Sequence, residues 1–278
     1  MQREARDVST AFGLLGPVRL TWDGESVTLG PPQRRAVLAV LLLASGRAVT
    51  IATLRKRLWS RSPPASAASA IHVHVHHLRK VLDSLTHGPN SPGERPRLVT
   101  HPGRPSDQVS YALYTAPGLI DAVRFRDLAD EGEAARARGD IPAALDRLEA
   151  ALSLWRGVPL PELQPSAFAL ETRRDLTEMR LDALRCRAAC LLEVGLASRA
   201  AADLRGLHAE HPDDERTVVL LSTALCRLGA DGRALRLIVG ELDRWQRDHG
   251  MLPSALLRER DRITGRVAVP DAEGRELP

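Results

Sequence analysis

The chain has 278 residues, 44% hydrophobic and 27% charged, with a net charge of +4, a length that fits about two domains each able to bury a core. Its three cysteines, Cys186, Cys190 and Cys226, are odd in number and sit in helical patterns, which argues against a disulfide framework. No hydrophobic signal segment opens the chain, and the longest apolar run, from Ala36 to Ala44, is too short to span a bilayer; a soluble, cytoplasmic protein is expected.

The charge is unevenly placed. Up to Thr115 there are 15 basic and 7 acidic residues, a net of +8, whereas the remainder holds 24 basic and 28 acidic residues, a net of −4. Six of the nine histidines also lie in the first part. A basic part followed by a mildly acidic one suggests two domains with different partners, and the basic part points to nucleic acid or an anionic surface.

In chain order, residues 1–10 are expected to be disordered, and residues 11–30 read as short strands. Val18, Leu20 and Trp22 alternate with polar residues, Asp23-Gly24 makes a tight turn, and Val27 and Leu29 resume the alternation. Pro31-Pro32 opens a helix that Gly46 closes. Thr50 is placed to cap the next helix, where Leu54 and Leu58 face inward and Arg55, Lys56 and Arg57 crowd the first turns.

A third helix is predicted within Pro63–Leu85, where Ile71, Val75, Leu78 and Leu82 recur on one face. Ser69, His72, Val73, His76 and Lys80 occupy the opposite face, with Arg79 at its flank and no acidic residue until Asp83. Donors and positive charge without carboxylates suit a surface of phosphates and base edges. The alternation in HVHVH also fits a strand, but the longer apolar pattern around it favours a helix. His87–Pro96 reads as a flexible loop, and Leu98–Thr100 with Val109–Tyr114 as a hairpin around His101-Pro-Gly-Arg104. Strands, three helices and a hairpin are the order of a winged helix-turn-helix over residues 11–116.

From Pro117 the pattern is helical and repeats. Gly139 is followed by Ala144, Leu148 and Ala151; Gly195 by Ala200, Leu204 and Leu207 at the same offsets; Gly229 by Ala234 and Ile238. This is tetratricopeptide-like spacing, with Gly between paired helices and small residues at close crossings. The insertion from about Val158 to Phe168 is rich in proline and excludes a helix. The helical domain is placed at 117–266, with a disordered tail at 267–278.

Several segments together resemble the Streptomyces antibiotic regulatory protein (SARP) family of transcriptional activators. They are FGLLGPVRL, PPQRRAVLAVLLLASGRAVT, LRKRLW, PPASAASAIHVHVHHLRKVL and RLVTHPG in the first half, and LSLWRGVPL, FALETRRDLTEMRLDAL, HPDDERTVVLLSTALCRLG and HGMLPSALLRERDRI in the second. The resemblance spans roughly Phe12 to Ile263. It implies a mainly α fold with a small β part: a response-regulator-type winged helix-turn-helix followed by an all-α bacterial transcriptional activator domain. It further implies a non-enzymatic activator of a secondary-metabolite gene cluster. Such a protein binds direct repeats in double-stranded DNA with two protomers side by side, and contacts RNA polymerase including its sigma subunit. No cofactor is implied. The chain departs from the family where His72, His74, His76 and His77 replace the usual mixture on the recognition helix, and where Arg104 follows Pro102-Gly103. No phosphate loop ending in Gly-Lys-Ser/Thr is present.

On this reading Ser69, His72, Val73 and His76 approach base edges, with Val73 against a thymine methyl. Arg79 and Lys80 meet phosphate or guanine, Arg34, Arg35, Arg55 and Arg57 anchor phosphates, and Arg104 reaches the minor groove or backbone from the wing. Three rival readings compete with this one. His72 and His76 at i,i+4 could hold zinc in a metal-responsive regulator, but no H-E-x-x-H or nearby Cys accompanies them. A catalytic role lacks any nucleophile elbow or paired carboxylates. A tetratricopeptide scaffold with an incidental basic domain is the third.

Overall fold

The computed structural model describes residues 11–59, 62–86, 94–103 and 109–268. The ten N-terminal residues, the tail past 268, most of the loop at 87–96 and the hairpin tip with Arg104 lie outside these. The chain groups into two compact units, residues 1–130 with 150–180, and residues 131–149 with 181–278. The first unit therefore takes in residues 117–130 and 150–180 as well as the winged helix.

In the first unit, β1 (Phe12–Gly13), β2 (Arg19–Trp22) and β3 (Glu25–Val27) form an antiparallel sheet in that order. Trp22 pairs with Glu25 across a turn in which Asp23 (φ 53°) and Gly24 (φ 84°) both take positive φ, the geometry of a two-residue hairpin with a primed turn. Helix α1 (Pro32–Leu43) starts at a proline, whose fixed φ suits the first helical position. It ends where Ser45 (φ 50°) and Gly46 (φ 79°) turn left-handed. A second sheet, in the order β4-β6-β5, joins β4 (Val49–Thr50), β6 (Ser110–Tyr114) and β5 (Arg97–His101). Thr50 caps α2 (Ile51–Trp59): its Oγ1 accepts from the Thr53 N–H at 3.1 Å.

The HVHVH segment lies inside α3 (Ala67–Asp83). In a strand Val73 and Val75 would share a face; here Val73 is 52% exposed and Val75 2%, so the helical period decides. Ile71, Val75, Leu78 and Leu82 are buried, and α1, α2 and α3 pack on one another while α3 also packs on β5. Fully buried Phe12, Leu14, Leu20, Leu38, Leu54, Ile71 and Phe125 centre the core of this unit.

The remaining helices are α4 (Asp121–Ala137), α5 (Ile141–Ser153), α6 (Ala167–Glu193), α7 (Ala197–Glu210), α8 (Glu215–Arg227), α9 (Asp231–His249) and α10 (Ser254–Ala268). The repeat glycines Gly139, Gly195 and Gly229 have φ of 79°, 79° and 68°. After each, the next N–H reaches five residues back: Asp140 to Ala135 O, Leu196 to Leu191 O, and Ala230 to Leu225 O, at 3.0, 2.8 and 2.9 Å. All three turns are the same Schellman close, which needs a left-handed residue at that position. In the second unit the small residues Ala200, Ala224 and Ala234 are fully buried among Leu204, Leu221 and Ile238. Among the described residues no helix is long and apolar enough to cross a membrane.

Candidate nucleic-acid interface

The candidate site belongs to the first unit and is built on α3. Its buried stripe fixes its rotation, and that rotation leaves Ser69, His72, Val73, His76, His77 and Lys80 exposed on one face. These positions follow the spacing of adjacent turns, so they form one contiguous strip. Among the described residues no carboxylate pairs with Lys80. His77 was not among the sequence-derived site residues, yet it shares this strip. Its signal was its spacing, four residues after Val73 and three before Lys80.

Two contacts tie the strip to the hairpin. The His72 Nδ1 shares a 2.6 Å hydrogen bond with the hydroxyl of Tyr111, a buried residue of β6. Arg79 donates from Nε to Leu98 O at 3.3 Å and from Nη2 to Thr100 Oγ1 at 2.7 Å, both on β5. Arg79 is thus held against the hairpin, and the Nε2 of His72 is the ring nitrogen left to face outward. Tyr111 and Thr100 are two further residues that sequence reasoning missed; they orient groups on α3 from strands far along the chain.

The four predicted anchors have different surroundings. Arg35 is held by Glu162 at 3.0 Å and donates to Gly30 O at 2.9 Å. Arg57 lies 4.4 Å over the Phe168 ring, and burial followed by the charge of Arg47 lowers its pKa. Arg34 folds back toward Leu29 O at 3.4 Å, with its Nε buried. Arg55 is half-buried on α2. Of these four, Arg34, Arg35 and Arg57 are engaged in intramolecular contacts, and Arg104 lies outside the described residues.

Electrostatics around the strip are set by cations. His77 is held below the ordinary histidine range, first by the charge of Arg34, then by partial desolvation and by His76 and Lys80. His74, on the inner flank of α3, is lowered by burial and then by Arg34 and His77. Both its ring nitrogens are buried without a hydrogen-bond partner among the described residues. Neighbouring positive charge disfavours the charged form of His77, and an approaching anion relieves that repulsion.

Two family models match the chain. Residues 120–259 match the bacterial transcriptional activator domain, and residues 24–92 match the C-terminal domain of transcriptional regulatory proteins. Regulatory protein AfsR of Streptomyces coelicolor is 40% identical over 239 residues, covering 83% of this chain but 22% of that protein. Regulatory protein DnrI of Streptomyces peucetius is 30% identical, covering 89% of each chain. A solved structure of Mycobacterium tuberculosis EmbR, in complex with a low affinity phosphopeptide, is similar with a TM-score of 0.78 at 32% identity; the match covers 92% of this chain and 65% of that one. The chain thus spans about a fifth of AfsR and nearly all of DnrI. On these matches the chain belongs to the Streptomyces antibiotic regulatory protein family of transcriptional regulators.

Proposed function

We propose that the protein is a sequence-specific DNA-binding activator of a secondary-metabolite gene cluster, working in the cytoplasm at the nucleoid. The observation that carries this reading is the exposed, carboxylate-free strip of α3. A helix of this kind enters a major groove with its polar face against the bases. Ser69 and the outer nitrogens of His72, His76 and His77 reach base edges, and Val73 meets a thymine methyl. Lys80 meets phosphate or guanine. Arg79 keeps the hairpin at the side of the helix, and Arg104, which lies outside the described residues, reaches the backbone or minor groove on this reading. Arg34 and Arg55 contribute long-range attraction more than fixed phosphate contacts, and Arg35 and Arg57 chiefly hold their own unit together.

Activation on this reading places two protomers side by side on direct repeats. The helical domain then contacts RNA polymerase, including its sigma subunit. The test is selection of fragments from the organism's own genome by the purified full chain, followed by footprinting. A pair of protected half-sites in the same orientation supports the reading. Recovery of no preferred sequence contradicts specific binding, and capture of protein partners without DNA favours a scaffold. Tight zinc binding that is lost in His72→Ala/His76→Ala favours the metal-responsive alternative.

A further inference from the structure

A cavity of about 350 Å³ opens in the first unit between the C-terminal end of α1, the last residues of β6 and the start of α4. It exists because the chain turns sharply after α1. Ser45 and Gly46 are both left-handed, and the Tyr114 ring lies 3.5 Å from where a side chain on Gly46 would begin. Its walls are largely apolar: Leu42, Leu113, Pro117, Ile120 and Val123. The volume lies near the lower end of small-molecule sites, which run from about 300 to 1,000 Å³. At ordinary packing density it would hold about fifteen non-hydrogen atoms.

The polar side chains of this lining are Ser45, Arg47, Tyr114 and Thr115, of which Arg47 alone is charged. Thr115 Oγ1 is buried and has no hydrogen-bond partner among the described residues. A buried hydroxyl is normally hydrogen-bonded, so Thr115 offers a polar position within a largely apolar wall. Arg47 is exposed at the rim. Its Nε donates to Ala44 O at 3.1 Å, which fixes the guanidinium on the last turn of α1, and its terminal nitrogens have no partner among the described residues. The lining contains no carboxylate. The neighbouring carboxylate, Asp121, accepts from the Leu14 and Leu15 N–H groups and from Arg156.

We propose that this cavity binds a small amphipathic monocarboxylate. Its carboxylate sits on the Arg47 guanidinium and its apolar body lies between Leu42, Leu113, Ile120 and Val123. The Thr115 hydroxyl meets a polar atom further along the ligand. The proposal does not rest on the DNA reading, since the site is complete without α3 and its test contains no DNA.

The test is calorimetric titration of the full chain with three ligands of one carbon skeleton: 4-phenylbutyrate, 4-phenylbutan-1-ol and 4-phenylbutylamine. The acid should bind with one site per chain, the alcohol about tenfold more weakly and the amine not at all. Arg47→Gln, at an exposed position, should bring the acid down to the alcohol and leave the alcohol unchanged. Val123→Phe should fill the cavity and abolish both. Acid binding that survives both substitutions is surface association and overturns the proposal. So does equal binding of acid and amine, or the absence of acid binding up to its solubility limit.

Discussion

Replacing Asp121 should be the most damaging polar substitution in the first unit. Asp121 is 2% exposed and opens α4, directly after the segment that follows the hairpin. Its carboxylate accepts from Leu14 N at 2.7 Å, from Leu15 N at 3.2 Å and from Arg156 Nη2 at 3.1 Å. Close by, Ala11 N donates to Leu119 O and Phe12 bridges Ile120, so this knot fastens the N-terminal sheet to residues 117–121. Asp121→Ala leaves two buried N–H groups without an acceptor, at about 1–3 kcal/mol each, and breaks a buried ion pair, at about 3–5 kcal/mol. These effects overlap, and the expected loss is about 3–5 kcal/mol.

Burial raises the Asp121 pKa more than its hydrogen bonds and Arg156 lower it. The folded value therefore lies above the unfolded one. Ionisation then works against folding: the benefit is fully present below the unfolded carboxylate pKa and is lost as pH rises through the folded value. The neutral Asp121→Asn, which keeps one acceptor, should accordingly lose less than the alanine, about 1–2 kcal/mol. Urea unfolding followed by tryptophan fluorescence reads this directly, because Trp22, Trp59 and Trp155 all belong to this unit. A fragment ending at Ala116 lacks both Asp121 and Arg156 and should be weakened similarly, though still able to bind DNA. A loss below about 1 kcal/mol for Asp121→Ala would refute the reasoning.

Three further outcomes are expected. Arg79→Ala should loosen the hairpin, and a double-mutant cycle with Thr100→Val should give a coupling of about 0.5–1.5 kcal/mol in DNA binding; zero coupling would return Arg79 to direct contact with DNA. Because Arg34 holds His77 below the ordinary histidine range in the free protein, phosphates that raise it on binding cause proton uptake. DNA affinity at fixed ionic strength should then rise as pH falls from about 7.5 to 5.5, a rise that shrinks in His77→Gln. Gly195→Ala and Gly229→Ala should each destabilise the helical unit by about 1–2 kcal/mol in chemical denaturation. The backbone alone is responsible there, since an added Cβ would meet nothing within 4 Å.

What could be read from the sequence was local. The buried stripe of α3, the Thr50 cap and the Asp23-Gly24 turn depend on residues a few positions apart, and their patterns survive in the fold. The three repeat glycines were legible because a Schellman close demands one backbone conformation and marks it with one residue type. What was not legible is long-range. Asp121 and Leu14 are 107 residues apart, and Arg35 and Glu162 are 127 apart; neither pair leaves a periodic trace. The same holds for His72 with Tyr111 and Arg79 with Thr100. Charge alone makes Arg34, Arg35, Arg55 and Arg57 equivalent candidate anchors, while the tertiary contacts engage Arg34, Arg35 and Arg57 within the protein.

The central claim is that the exposed strip of α3 lies against DNA. Val73 sits in the middle of that strip and is 52% exposed, so Val73→Asp changes its charge without disturbing the core. The decisive measurement is the affinity of the full chain for its selected site, before and after this substitution, with unfolding stability recorded for both. An acid placed against phosphates and base acceptors should weaken binding about a hundredfold or more at unchanged stability. Equal affinity of the two proteins for the same site would contradict the account and move the interface off this helix.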